Sequence, residues 1–394
     1  MAASKTTMRI YLDHNAGAPM RRLAVAAITR VSDECHGNPA SVHRSGQYAR
    51  KILEEARARV AALIGAPART IVFTSGGTEA NNLAIFGAAR ASGRRRRIIT
   101  SAIEHSSVLA PVAELEGVGF SVQRLIPDRD GRIAPEQISD ALTDDVALVT
   151  IGLANAEVGT IQRVAGLAET IGRSGAISHL DAAQALGRIP LDAAELGCDL
   201  MTLSAHKIGG PPGCGALYVR PGARIQPVML GGPQEGGLRA GTPNLIGAAG
   251  FGAAAEEVMT GLDAERARVA ELASFLFARL TVAIRRLSLN GPLTGRLAHT
   301  LNLTFPDVLG ESLLIALDLD GIEVSMGSAC AAGAVEPSHV LLAMGRTPAE
   351  ARSSLRISLG WNTTADDIAR AASIIPRVYE RVAAAAGDSE AAVS

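Results

Sequence analysis

Between residues 70 and 219, short apolar runs alternate with alanine-rich stretches of helical spacing, and no other feature of the chain limits its fold as much. Ile71-Val72-Phe73-Thr74, Ile98-Ile99-Thr100, residues 146–151, Ile177-Ser178-His179-Leu180 and Leu200-Met201-Thr202-Leu203 all read as buried strands. Strands with no polar face need cover on both sides. Strand–helix alternation provides it by laying helices over a mainly parallel sheet, so the predicted class is α/β. Gly215-Ala216-Leu217-Tyr218-Val219 adds a strand after a glycine-proline loop. Upstream, 41–63 reads as one amphipathic helix; downstream, 244–287 is a long helical stretch of the kind that links a large unit to a small one. Strand-like 300–304 and 355–359 mix with helical 311–317 and 365–385 in a compact α+β pattern.

A chain of 394 residues is too long for one ordinary core. The expected division is an N-terminal segment, 1–20, packed with the small domain; a large domain, 21–260; and a small C-terminal domain, 261–394. With 47% hydrophobic and 20% charged residues the chain is expected to form a soluble globule. A formal net charge of -1 argues against nucleic acid or an anionic membrane as main partner, since either needs a basic excess. Arg94-Arg95-Arg96-Arg97 is the local exception; without interleaved aromatics it reads as a solvated loop before a strand. Cys35, Cys198, Cys214 and Cys330 form no C-x-x-C pair, so neither a disulfide framework nor a zinc site is expected. No apolar run reaches transmembrane length and the N-terminus has no signal-type core, which leaves a reducing cytoplasm as the expected setting.

Functional groups in open α/β sheets collect where strands end. Four segments lie just past predicted strand ends. Thr74-Ser75-Gly76-Gly77-Thr78 offers two glycines and a hydroxyl at a helix start, a cradle for an anion; an ordinary strand–helix turn is the other reading. His105 follows 98–100 and suits stacking on a flat ring or proton transfer, or plain packing. Asp181 closes 177–180, placed to face a pyridine nitrogen or to cap a helix. Ser204-Ala205-His206-Lys207 closes 200–203, and a buried lysine there becomes an amine nucleophile able to form an imine. Anion cradle, histidine, aspartate and lysine on successive strands are the set that a fold-type I pyridoxal phosphate enzyme requires.

At these residues the chain resembles the cysteine desulfurases of the class V aminotransferase superfamily, in the nitrogenase-associated and housekeeping iron–sulfur assembly subgroup. The likeness runs from Tyr11-Leu12-Asp13-His14-Asn15 through Asn38-Pro39-Ala40-Ser41-Val42-His43, residues 74–82, Glu104-His105, Asp181-Ala182-Ala183-Gln184 and Ser204-Ala205-His206-Lys207. It continues through Leu238-Arg239-Ala240-Gly241-Thr242 and Gly327-Ser328-Ala329-Cys330 to 354–360. The resemblance implies a seven-stranded, mainly parallel sheet covered by helices and a smaller α+β domain formed by the chain's ends. It implies pyridoxal 5'-phosphate on Lys207, which also shuttles the Cα proton, with Asp181 at the ring nitrogen and His105 stacked on the ring and acting on the substrate thiol. Gln184 reaches the ring oxygen; Gly77, Thr78, Ser204 and His206 bind phosphate, joined by Thr242 from the partner subunit of a homodimer. Asn38 and Arg356 hold the carboxylate of L-cysteine, and Cys330 takes the sulfur as a persulfide, releasing alanine. The sulfur then passes to an acceptor or iron–sulfur scaffold protein, or to thiolation.

The family's Asn-Asn-Glu reads Asn155-Ala156-Glu157 here, so the ring oxygen falls to Gln184 alone or to a shifted Asn155. Gly17 and Gly236 also depart from the family pattern. Two other readings stay open at this stage: a selenocysteine lyase or other class V enzyme, and a low-activity homologue serving as a scaffold.

Overall fold

The computed structural model describes residues 9–327 and 336–391. Its strands are β1 (Ile10–Tyr11), β2 (Ile71–Thr74), β3 (Arg97–Ser101), β4 (Ser121–Leu125), β5 (Val146–Gly152) and β6 (Ile177–Asp181). After them come β7 (Leu200–Ser204), β8 (Gly215–Val219), β9 (Ser288–Leu289), β10 (Thr300–Thr304), β11 (Ile322–Glu323) and β12 (Ser354–Ser358). The helices are α1 (Arg22–Glu34), α2 (Arg44–Ala62), α3 (Gly77–Ala91), α4 (Ser106–Gly117), α5 (Pro135–Ala141) and α6 (Leu167–Ser174). They continue with α7 (Ala193–Leu196), α8 (Leu245–Ala283), α9 (Gly310–Leu319), α10 (His339–Ala343), α11 (Pro348–Arg352) and α12 (Ala365–Ala391).

A seven-stranded sheet in the order β2-β8-β7-β6-β5-β3-β4 forms the centre, as expected for the α/β class. From β7 to β4 every pairing is parallel; β8 runs antiparallel to both its neighbours. The chain leaves β3 in one direction towards β4 and leaves β5 in the other towards β6 and β7. The reversal of strand order therefore lies between β3 and β5, where an open sheet leaves a crevice at its carboxyl edge.

One face of the sheet carries the apolar cluster of Ile71, Phe73, Leu180, Met201 and Leu203 against Leu53, Val60, Phe251 and Val258 of α2 and α8. The other face is covered by Leu83 and Ala84 of α3 and by Val108 and Val112 of α4. A separate core gathers the chain's two ends: Ile10 and Leu12, Leu301 and Leu303 of β10, Leu355 and Ile357 of β12, and Ile368 and Val378 of α12. The 39-residue α8 serves both cores. Its first half packs Phe251 and Val258 on the large sheet, and its second half packs Val269, Ala273, Leu276 and Leu280 on the terminal core.

The arginine run is anchored rather than merely solvated. Arg95 donates to the carbonyls of Val146 and Ser174, Arg96 stacks over Phe120 at 4.9 Å, and Arg97 donates to Gln123. No helix of the described residues is long and apolar enough to cross a membrane, and among them no cluster of acidic, histidine or cysteine side chains could hold a metal ion.

Candidate active site

The carboxyl edge of the large sheet brings the chemistry together. β2 ends at Thr74, and its turn passes through Gly76 into α3, whose first N–H groups no side chain caps. Those free donors and the helix dipole make the turn attractive to an anion. A Cβ on Gly77 would lie 3.5 Å from Ser204 Cβ, so the cradle and the end of β7 are in contact. Thr78 is exposed at the cradle and lines, with Ser106 and Ser107, one end of a groove of about 410 Å³ between α3 and α4. Ser204 Oγ meets His206 Nδ1 at 3.1 Å; burial and the neighbouring Lys207 lower the His206 pKa to about 4, so its ring is neutral.

Lys207 follows β7 on a tight turn. Burial, then the Arg356 charge, lower its ammonium pKa to about 8. Its Nζ donates to the carbonyls of Asn15, at 2.5 Å, and Ala16, at 3.0 Å. Gln184 Nε2 donates to the same Asn15 carbonyl at 3.0 Å. Asn15 is itself immobilised: its Nδ2 donates to Thr300 Oγ1 and the Ala156 carbonyl, and its Oδ1 meets His299 Nε2. An amine so held, with a pKa near neutrality, is a usable nucleophile and base.

Asp181 is the last residue of β6. Its Oδ1 accepts from the Ala183 N–H at 2.9 Å and its Oδ2 from Asn81 Nδ2 at 2.8 Å. Asn81 Nδ2 also donates to Ser107 Oγ, which lies 2.8 Å from His105 Nδ1. The Ser107 N–H points at the same ring nitrogen, so Nδ1 is an acceptor and the neutral ring carries its proton on Nε2. Burial lowers the His105 pKa, although one side of the residue stays open to solvent. One amide of α3 therefore aligns both the carboxylate and the imidazole, with Asn81 Oδ1 left buried without a partner among the described residues.

Arg356, on β12, is buried beside this cluster. Nη2 pairs with Asp13 at 2.7 Å, Nη1 donates to the Ala156 carbonyl at 3.3 Å, and Nε is buried with no partner. Asn155 has both polar ends of its side chain engaged: Nδ2 on the Ile103 carbonyl, Oδ1 on the N–H groups of Glu157 and Val158. Asn38 lies on an exposed turn, its Oδ1 accepting from the Ala40 N–H, and no hydrogen bond ties it to the Lys207 cluster. Thr242 is exposed on the loop before α8. Cys330 lies in 328–335, outside the described residues. Sequence reasoning gave no role to Asn15, Asp13, Asn81 or Glu104. Each nevertheless stands in a segment that carries the family likeness.

The aminotransferase class-V family model matches residues 10–371. Cysteine desulfurase IscS of Dictyoglomus turgidum is 42% identical over 374 residues, 95% of each chain. The IscS-like cysteine desulfurase of Mycobacterium tuberculosis is 42% identical over 386 residues, covering 95% of this chain and 98% of that one. Among solved structures, a NifS-like protein superposes with a TM-score of 0.89 at 34% identity, over 95% of this chain and 100% of the other. SspA in complex with cysteine gives 0.80 at 33%, over 89% and 98%. With a buried lysine, an aligned aspartate and an anion cradle already on one sheet edge, the chain belongs to the class-V aminotransferase family of pyridoxal-phosphate enzymes.

Proposed function

We propose that this chain is a cysteine desulfurase that converts L-cysteine to L-alanine and takes the sulfur onto Cys330 as a persulfide. The observation that carries the reading is the near-neutral amine of Lys207 beside the Asn81-aligned Asp181, in a chain 42% identical over 95% of its length to a cysteine desulfurase.

The residues present fit pyridoxal phosphate. Gly77, Thr78, Ser204 and His206 supply donors around a dianionic phosphate, the open side of His105 offers a flat surface to the ring, and Asp181 is a buried carboxylate with no ion-pair partner among the described residues. Gln184, whose Nε2 shares the Asn15 carbonyl with Lys207 Nζ, serves the ring oxygen, while Asn155 Nδ2 is turned to the Ile103 carbonyl. When bound, the cofactor supplies an electron-poor ring that accepts charge from the substrate's Cα.

The chain's own residues do the rest. The Arg356 Nε, buried and without a partner among the described residues, is the donor available to the substrate carboxylate, with Asp13 fixing the guanidinium; Asn38 completes that pocket from its turn. Lys207 Nζ takes the Cα proton, which a pKa of about 8 permits near neutral pH. His105 Nε2–H faces the substrate thiol. The Cys330 thiolate attacks the substrate sulfur: an S–S bond forms, the C–S bond breaks, and carbon keeps that electron pair and takes a proton. The balance is cysteine plus protein thiol giving alanine plus protein persulfide.

We place the protein in the cytoplasm as a homodimer, with Thr242 completing the partner's phosphate site and a sulfur-acceptor or iron–sulfur scaffold protein receiving the persulfide. The test is to give the holoenzyme L-cysteine with a thiol reductant and measure alanine and sulfide for wild type and Cys330→Ala. Wild type is expected to make both in equal amounts and the variant neither. Equal alanine from both proteins would point to a lyase that needs no cysteine. No alanine from wild type would remove the reading.

A further inference from the structure

Glu104 is buried at the carboxyl edge of the sheet and has no part in the reaction proposed above. Its Oε1 lies 2.5 Å from Ser101 Oγ at the end of β3, and its Oε2 accepts from the Gly152 N–H, 2.8 Å away at the end of β5. Its backbone carbonyl meets His339 Nε2, on α10, at 3.1 Å. Gly152 pairs in register with Asp181, and a Cβ at 152 would stand 2.8 Å from Oε2. The carboxyl group therefore fills the crevice where strand order reverses, one residue before His105 and one strand from Asp181.

Among the described residues no arginine or lysine bonds either oxygen. The titratable groups around it are Asp181 on β6, His105 at the start of α4 and His339 on α10; none is a fixed cation. An anion here would lack a counter-charge and would repel Asp181.

We propose that Glu104 is a positioning residue that acts as a neutral carboxylic acid, joining the ends of β3 and β5 beneath His105 and leaving Asp181 as the one carboxylate charged towards the cofactor ring. The Ser101 hydroxyl donates to Oε1 and the Gly152 N–H to Oε2, and both bonds favour the anion. Burial is the larger cause; with Asp181 adding to it, it outweighs those bonds and raises the carboxyl pKa to about 8. The proposal rests on the cofactor placement given above.

The proton is read directly by infrared difference spectroscopy at pH 7, wild type minus Glu104→Gln, with and without cofactor. A protonated-carboxyl stretch is expected in wild type, missing from the variant and fading as pH passes about 8. Glu104→Gln keeps the shape and the neutrality, so its kcat and cofactor absorption band stay near wild type. Glu104→Ala opens the crevice; kcat falls about tenfold, roughly one lost buried hydrogen bond, with KM changed less and the cofactor band shifted. Absence of the carboxyl band, a glutamine variant as impaired as the alanine one, or a fully active alanine variant would each overturn it. If the alanine variant does not fold, the infrared band and the glutamine variant still decide. The cofactor-free spectrum needs no turnover, so failure of the desulfurase reading would leave this result standing on its own.

Discussion

Lys207 works because the sheet edge denies its ammonium water and sets Arg356 nearby, while among the described residues two backbone carbonyls accept its protons. The sign of the shift fixes a pH dependence. A depressed pKa means the amine is deprotonated at lower pH than a free lysine, so cofactor attachment to the stripped protein should speed up with pH and level off above about 8. Stopped-flow absorbance measures this; a rate still climbing steeply towards pH 10 would mean the amine is not held as described. Lysine, aspartate, histidine and cradle were legible in the sequence because each closes an apolar run, and strand ends are where such groups gather. Asn81 and Asn15 were not. Their partners, Asp181 and Lys207, lie 100 and 192 positions away, and only the folded sheet sets such distances.

At the scale of elements, the loop that carries Thr242 is fastened to the sheet by a buried ion pair. Glu235, with a left-handed φ of 48°, takes Arg57 through both oxygens, at 2.6 and 2.8 Å, and accepts the Phe73 N–H of β2. Arg57 also stacks over Phe73 at 4.9 Å. Glu235→Gln leaves a buried guanidinium short of its counter-ion, partly relieved by Glu54, and should cost about 2 kcal/mol in urea unfolding. A change inside experimental scatter would mean the loop is held by other contacts. Strand order and reversed strands were harder to read than strand positions. β4 lies at the sheet's edge with half-exposed Ser-Val-Gln-Arg-Leu, so it lacks the apolar run that marks its neighbours. β8 follows β7 after ten residues, too few for a crossover helix, which forces it antiparallel.

Across the whole molecule, α8 ties the cofactor-bearing sheet to the core built from the chain's two ends, so Arg356 and Asp13 reach the Lys207 cluster from the terminal core. Of the described residues, Gly327 precedes 328–335 and Ser338 follows it. Both ends meet Glu157: a Cβ on Gly327 would stand 2.7 Å from its Oε2, and Ser338 Oγ donates to the same oxygen at 2.5 Å. The most direct measurement is peptide mass spectrometry of the holoenzyme after one equivalent of L-cysteine, without reductant. One added sulfur atom on the peptide containing Cys330, matched by one alanine released, is the expected result. Alanine released with no sulfur on that peptide, or sulfur on Cys35, Cys198 or Cys214 instead, would contradict it.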